Sequence, residues 1–164
     1  MKPIKRHKAL IEFSRDHHYG LLLCWKIRQG FAKGISPERI SRYIEYFFKA
    51  DLKEHFLEEE VKLFSKLPAN DPLRIEAENQ HKNIYILAEE LQQHNTDKNL
   101  ITRFAKELED HIRFEERTLF NHLQENLSMD DLAEASTHNE NSCRADDDAW
   151  EDHFWESEKS ETTK

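Results

Sequence analysis

The chain has 164 residues, among them three glycines, four prolines and two cysteines, and a formal net charge of −9. A single domain is the expectation at this length. So few glycines argue against dinucleotide-binding, P-loop and many-turned β-sandwich folds, which need glycine at tight turns and phosphate contacts. The acidic balance argues against broad nucleic-acid binding, because negative charge repels phosphate backbones.

The sequence contains no candidate membrane segment. No stretch approaches the roughly 18 apolar residues of a membrane span. The basic start, residues 1–10, is not followed by the apolar segment of a secretory signal. The two cysteines, Cys24 and Cys143, are too few for a disulfide framework. We therefore expect no membrane partner and a cytoplasmic location.

Four helical patterns follow one another along the chain, at about residues 5–33, 36–67, 70–94 and 95–126. In each pattern, inward-facing residues recur at the three- and four-residue spacing of a helix face. Polar residues at the breaks supply N-caps, and a further cap begins a short extra helix that ends near residue 135. Because short connections force neighbouring helices to run antiparallel, we predict an all-α, up-down-up-down four-helix bundle.

We expect the bundle to occupy residues 1–135 and the acidic remainder, residues 136–164, to be disordered. This tail carries nine acidic and three basic residues. Trp150, Phe154 and Trp155 interrupt its composition at a spacing that fits a short docking helix. The tail is therefore either a solvated spacer or a contact for a protein partner.

Histidine and glutamate occur on the inward faces of the predicted helices, where an ordinary bundle carries leucine. His55 precedes Glu59 by four residues, and His111 precedes Glu115 by four residues. Four residues make about one helical turn, so the two side chains of each pair lie on one buried face. Because an unpaired buried carboxylate is costly, two such pairs need a compensating charge. A cation inside the bundle would supply it.

One histidine from each predicted helix falls near one level of the bundle. Residue counts from the connecting breaks place His17, His55, His81 and His111 within about 6 Å in height, at roughly 1.5 Å per residue. His18 is adjacent to His17 and points about 100° away from it, so only one of the two can face the site. Helix geometry favours His17, and His18 is the alternative candidate for the ligand from this helix.

The nature of these ligands indicates which metals would bind. Imidazole and carboxylate ligands without thiolate favour iron or manganese, with zinc as a further candidate. One ion cannot easily use six ligands from four helices, whereas two ions bridged by Glu59 and Glu115 can. Carboxylate bundles with two metal ions place their ligands on facing helices in this way. Each ion would keep open positions for a bridging oxygen, water or a small gas.

The order His, HxxxE, His, HxxxE on four successive helices resembles the hemerythrin-like (HHE cation-binding) domain. The segments DHHYGL, HFLEEEVKLF, NQHKNI and DHIRFEERTLF carry the match, which covers about residues 5–127. The resemblance implies a non-haem di-iron centre with an oxo or hydroxo bridge, which binds dioxygen or, in some members, handles nitric oxide or iron. It implies these ligands: His17 or His18, His55, bridging Glu59, His81, His111 and bridging Glu115.

The pattern departs from that of the oxygen-carrying hemerythrins, which have two histidines four residues apart on the third helix. Here Ala77 and Tyr85 stand four residues before and after His81. The fourth motif ends in Glu115, whereas the oxygen carriers have aspartate one residue later. The extra open position on one metal favours sensing, redox chemistry or solvent binding over oxygen storage. Tyr85 is a candidate to fill that position or to contact the bound ligand.

Two classes of function follow from this interpretation. The first is a binding or sensing protein whose di-iron centre takes dioxygen or nitric oxide. The alternative is an enzyme-like redox protein that reduces peroxide or nitric oxide, or supplies iron for repair. A structural adaptor that acts through the aromatic residues of the tail is the weakest hypothesis, because Glu59 and Glu115 buried without a metal would destabilise the core.

Overall fold

The computed structural model describes residues 5–135 and 147–156, and the regular secondary structure of these residues is helical. The predicted four-helix bundle and the short helix after it are confirmed. The α-helices of this part of the chain are α1 (Lys8–Ala32), α2 (Pro37–Phe47), α3 (Lys53–Lys62), α4 (Pro72–Gln93), α5 (Lys98–Phe114), α6 (Phe120–Asn126) and α7 (Met129–Ala135). The four segments of the bundle are α1, α2 with α3, α4, and α5 with α6. None of the described helices is long and apolar enough to cross a membrane.

Five-residue π-helical turns divide the second and the fourth segments. Phe48–Leu52 joins α2 to α3, and Glu115–Leu119 joins α5 to α6. The sequence predicted an uninterrupted helix in both places, and the prediction is wrong on this point. A π turn widens the helix locally without removing the apolar spacing on either side, so the spacing does not reveal it. π turns often lie at functional sites, and the second one begins at the candidate ligand Glu115.

The starts of the bundle helices are capped as the sequence indicates. Ser36, Asp71 and Asp97 each accept hydrogen bonds from backbone amides two or three residues further along. These bonds satisfy amides that have no partner within the helix. Gly34, just after α1, has a φ of 73°, the left-handed conformation that favours glycine. The short connections therefore fix where each segment begins, and hence the height of its side chains.

The core consists of two apolar clusters with a polar layer between them. One cluster surrounds Ile27 and Phe104, near the α1–α2 and α4–α5 connections. The other surrounds Leu10 and Phe120, near the start of α1 and the packed helix α7. Each segment of the bundle passes from one cluster to the other. The residues at the crossing are buried but polar. They include the four histidines, His17, His55, His81 and His111, that the sequence placed at one level.

The described part of the tail, residues 147–156, packs against α1 and α2. Phe154 is 3% exposed and Trp155 is 8% exposed. The ring centroids of Trp155 and Tyr43 lie 4.8 Å apart, and the Lys26 ammonium lies 4.1 Å from the centre of the Trp155 ring. A cation at this distance from an aromatic face is attracted by the ring electrons. Aromatic packing thus fixes the segment to the bundle.

These residues differ from the disordered tail that the sequence predicted. Asp152 accepts hydrogen bonds from Arg39 at 2.6 and 2.9 Å, so acidic as well as aromatic side chains find partners on the bundle. The docked segment contains the short 3-10 turn Asp147–Ala149, rather than the docking helix that the aromatic spacing would fit. Residues 136–146 and 157–164 lie outside the described residues. The domain boundary between bundle and tail stays a prediction.

Replacing Phe154 with alanine tests this packing. The Phe154 ring lies against Gly30, where an added Cβ would come within 2.9 Å of it. We expect Phe154→Ala to lower the free energy of unfolding by about 3 kcal/mol, as for other buried aromatic residues. Urea denaturation measures the change. The exposed Glu151 of the same segment supplies the control, Glu151→Ala, which should change little. Equal stability of the two variants would mean that the tail does not dock in solution.

Candidate metal centre

Four histidines and two glutamates from all four segments meet in the polar layer. They are His17 from α1, His55 and Glu59 from α3, His81 from α4, His111 from α5 and Glu115 from the second π turn. All six side chains are buried, and both glutamates are 0% exposed. The structure thus brings together, from distant parts of the sequence, the residues that the HxxxE spacing and the helix levels selected.

The six side chains form two groups that share both glutamates. The first group is His17, His55, Glu59 and Glu115, and the second is Glu59, His81, His111 and Glu115. Within each group, one ligand atom from every residue lies within 4.8 Å of the others. Each group could hold a cation, and both groups would use the same two glutamates.

In the first group, each histidine faces a glutamate through its Nε2 atom. His17 Nε2 lies 2.9 Å from Glu115 Oε2 and 3.7 Å from Glu59 Oε2. His55 Nε2 lies 3.1 Å from Glu59 Oε1. Glu59 and His55 come from one turn of α3, whereas Glu115 reaches His17 from the neighbouring fourth segment. The group therefore links three of the four segments.

In the second group, two histidines approach each other as well as the glutamates. His81 Nε2 lies 3.4 Å from Glu59 Oε1 and 3.5 Å from Glu115 Oε1. His111 Nε2 lies 2.5 Å from Glu115 Oε1 and 3.1 Å from His81 Nε2. His81 is thus almost equally distant from both carboxylates, and all four side chains converge on one point.

The outer nitrogen of each histidine is held by a residue from a neighbouring segment. The Nδ1 contacts are His17 with Glu116 (2.7 Å), His55 with Asp16 (3.1 Å), His81 with Glu60 (3.2 Å) and His111 with Gln80 (2.7 Å). The acceptor oxygens require Nδ1 to carry the proton. A neutral imidazole then directs the lone pair of Nε2 into the site, which is the form that binds a metal.

Several inward-facing atoms make no well-aligned hydrogen bond within the described residues, although they lie close to one another. They are His55 Nε2, both carboxylate oxygens of Glu59 and Oε1 of Glu115. Buried polar atoms whose hydrogen bonds are incomplete cost free energy. Cations held by the two groups would satisfy all of these atoms together. Imidazole nitrogen and carboxylate oxygen fit iron, manganese or zinc, so the residues fit the cation that the sequence called for.

Burial and the contacts between imidazoles and carboxylates shift the pKa values of the residues in this layer. Burial by itself raises the pKa of Glu59 and Glu115, but the adjacent imidazoles, His55 and His111 respectively, hold both pKa values below the usual range. Burial by itself lowers the pKa of His55, but the charge of Glu59 and the hydrogen bond to Asp16 raise it to about 10. Without a metal, positive charge on His55 is therefore favoured beside Glu59, in the place where a bound cation would lie.

Apolar walls surround the site. The Phe56 ring stacks on His81 with centroids 4.0 Å apart, and Phe120 stacks on His17 at 5.4 Å. A small cavity, with room for about one water-sized molecule, opens beside the first group. It is lined by His17, His55 and His111, by the apolar residues Leu52, Phe56, Leu108 and Ile112, and by Gly20, Asp16 and Asp51. A small ligand would therefore meet histidines on one side and hydrocarbon on the other.

Two candidates from the sequence lie outside the ligand groups. His18 is exposed on α1 and contacts the Tyr19 ring. Of the two adjacent candidates on α1, the structure places His17, and not His18, on the inward face among the other ligands. Tyr85 donates a hydrogen bond from its hydroxyl to the carbonyl of Lys53 (3.4 Å), and its ring packs against Phe56. In this structure the Phe56 ring contacts both Tyr85 and His81, and the Tyr85 hydroxyl points to the Lys53 carbonyl rather than to the ligand groups.

The comparisons with known proteins agree with this site. The model of the hemerythrin HHE cation binding domain matches residues 8–123. This range spans more than half of the chain and includes all six buried ligands, and the chain belongs to this family. No curated protein and no solved structure matched the chain.

Two residues that orient the ligands were missed at the level of the sequence. They are Asp16 and Gln80, which hold the outer nitrogens of His55 and His111. Each directly precedes a ligand histidine, and a residue one position away points about 100° to the side, toward the adjoining helix. This offset of one residue from a ligand histidine is the sequence pattern by which Asp16 and Gln80 can be identified.

The pKa of His55 predicts how pH changes the stability of metal-free protein. Its value of about 10 lies above the roughly 6.5 of an unfolded chain. The stabilisation is therefore fully present below pH of about 6.5 and is lost as the pH rises through about 10. We expect the melting temperature of chelator-treated protein to fall by about 5 °C or more across this range. Circular dichroism at a series of pH values measures it.

The matched control for this pH series is Glu59→Gln, which removes the charge that holds the His55 proton. Its melting temperature should vary less with pH than that of the unaltered chain. A melting temperature that rises, or stays constant, between pH of about 6.5 and about 10 in the unaltered metal-free protein would contradict the assignment.

Proposed function

We propose that this chain binds two iron ions in its polar layer and uses them to bind or sense a small oxidant, dioxygen or nitric oxide. The observation that carries the proposal is the sharing of Glu59 and Glu115 by two complete groups of ligand atoms. One ion would leave two of the histidines without a use, whereas two adjacent ions use all six side chains. Membership in an HHE cation-binding family supports the same interpretation.

The choice of iron rests on the ligands and on the family. Each position offers two imidazoles and two shared carboxylates, a set without thiolate that suits iron and manganese better than soft metals. Zinc suits the proposed function less well, because it commonly takes four ligands in a closed tetrahedral site that leaves no position for a small ligand. A pair of iron ions would supply redox chemistry and open positions for a small ligand. Manganese and zinc are the alternatives that metal analysis distinguishes.

The surroundings support a ligand of only a few atoms. The cavity beside His17 and His55 is close to the size of one water molecule, and Leu52 and Ile112 form part of its apolar wall. A space of this size fits a small ligand better than a larger substrate. The protein residues would hold the ions, orient the imidazoles through their Nδ1 hydrogen bonds and limit the entry of bulk water.

The experiment that tests the proposal is metal analysis combined with visible spectroscopy of protein purified without added metal. We expect about two irons per chain and an absorption band typical of bridged ferric iron. Reduction followed by exposure to air, and separately to nitric oxide, should change the spectrum reversibly. Steady consumption of peroxide or nitric oxide would favour the alternative, an enzyme-like redox protein. Metal-free protein that stays cooperatively folded, even after iron is offered, would contradict the proposal and favour an adaptor.

Substitution of the shared glutamates should reduce metal content and stability together, because metal binding is linked to folding. We expect Glu59→Gln and Glu115→Gln each to retain about one iron or fewer per chain, and to lose the rise in melting temperature that iron produces. Inductively coupled plasma analysis and thermal melts measure both quantities.

Glu90 provides the control, since it is exposed on α4, and Glu90→Gln should bind as much iron as the unaltered chain. Unchanged iron content in both Glu59→Gln and Glu115→Gln would contradict the bridging roles.

We also propose a cytoplasmic location, which agrees with the free, buried thiol of Cys24 among the described residues. A protein partner at the acidic tail is a further proposal. In the structure, Phe154 and Trp155 of the tail contact the bundle itself. Such a partner would therefore bind the charged residues of the tail or displace these aromatic side chains.

A further inference from the structure

The four hydrogen bonds that orient the histidines form a closed ring around the site. One of these bonds has a different type of acceptor group from the other three. Asp16, Glu60 and Glu116 accept the Nδ1 hydrogen through a carboxylate oxygen. Gln80 accepts it through an amide oxygen, at 2.7 Å from His111 Nδ1. The ring thus contains three charged acceptors and one neutral acceptor.

The orientation of the Gln80 amide is fixed by a second contact. Its Nε2 donates to Glu76 Oε1 at 2.9 Å. A carboxylate can only accept, so the amide nitrogen must face Glu76 and the amide oxygen must face His111. The interaction with His111 is therefore a neutral hydrogen bond, and it is held in this sense by its own neighbour on α4.

A carboxylate that accepts from Nδ1 makes the imidazole a stronger metal ligand than an amide does. It stabilises positive charge on the ring and so raises the basicity of Nε2. Such outer partners change metal affinity by about 10- to 100-fold. The ligand atoms of the two cation positions are otherwise alike, with two imidazoles and the same two glutamates at each.

The neutral partner belongs to only one of the two positions. His17 and His55 are backed by Glu116 and Asp16, whereas His81 and His111 are backed by Glu60 and Gln80. Glu116 also pairs with Arg6 at 3.1 Å, which offsets part of its charge. The side chain of Asp16 is only 8% exposed, so solvent screens it little. The contrast between Asp16 and Gln80 therefore sets the difference between the positions.

We propose that the two cation positions are unequal, that the position of His17 and His55 fills first, and that Gln80 is the positioning residue that weakens the other. This inference rests on the proposed dinuclear centre. The inference goes beyond that centre in two respects. It states the order in which the positions fill, and it assigns that order to a residue that touches no metal. A protein loaded with one ion would then hold it on the side of the small cavity.

Stepwise loading with Co²⁺ tests the inference without any measurement of activity. Chelator-treated full-length protein is titrated with Co²⁺ in the absence of oxygen, and heat and visible absorption are recorded. We expect two steps, with dissociation constants about 10-fold apart or more. In crystals with one equivalent of Co²⁺, the anomalous signal should lie beside His17 and His55.

Two substitutions move the steps in opposite directions. Gln80→Glu should tighten the weaker step by about 10-fold, and Asp16→Asn should weaken the tighter step by a similar factor. Each change makes the two positions more alike, so the two dissociation constants should move closer together. Gln93→Glu, an exposed change of the same kind on α4, should leave both steps as they are. Asp16→Asn carries the test by itself if Gln80→Glu does not fold.

Specific results would overturn the inference. Equal steps in the unaltered protein, or a first ion beside His81 and His111, would show that the outer partners do not set the order. A variant that weakens both steps equally would show a merely structural role for the substituted residue. In each of these results two ions still bind, so the dinuclear centre stands. Protein that takes up no Co²⁺ and no iron would instead overturn the proposed function, and this inference with it.

Discussion

Two glutamates with no exposure to solvent lie at the middle of an otherwise apolar bundle, and the rest of the structure is arranged around their charge. An isolated carboxylate in such surroundings would cost several kcal/mol or would become protonated. Here Glu59 and Glu115 stay ionised because four imidazoles converge on them. The outer nitrogens of these imidazoles are in turn held by Asp16, Glu60, Gln80 and Glu116. The charge of the two glutamates is thus balanced by the four histidines, which are themselves held by a further set of polar residues.

This compensation joins the site to the fold. Asp16 of α1 orients the histidine of α3, Glu60 of α3 orients that of α4, Gln80 of α4 orients that of α5, and Glu116 orients that of α1. Each segment therefore depends on its neighbour for the position of a ligand. The two apolar clusters on either side fix the height of the layer. A cation in the site would strengthen contacts among all four segments at once, which is why metal content and stability should change together.

Much of this organisation can be read from the sequence, because it depends on regular helix geometry. The four-residue spacing of His55 with Glu59, and of His111 with Glu115, places each pair on one face whatever the details of packing. Counting from capped breaks then brings one histidine of each segment to a common level, and the structure agrees. The same rule of 100° per residue separates His17 from His18, which is exposed.

Other features depend on contacts that a local pattern does not contain. The π turns change the helix without changing its apolar spacing, so they are visible only in the backbone. Docking of the tail depends on a partner more than a hundred residues away, as the pairs of Lys26 with Asp147 and of Arg39 with Asp152 show. Asp16 and Gln80 act on a neighbouring segment, and their role depends on which helices are adjacent.

Anomalous diffraction at the iron absorption edge, from crystals of iron-loaded protein, would locate the metal ions relative to the shared glutamates. We expect two peaks about 3.5–4 Å apart, with Glu59 and Glu115 between them and two of the four buried histidines on each side. A single peak, or iron bound only at surface side chains while the polar layer holds none, would contradict this expectation.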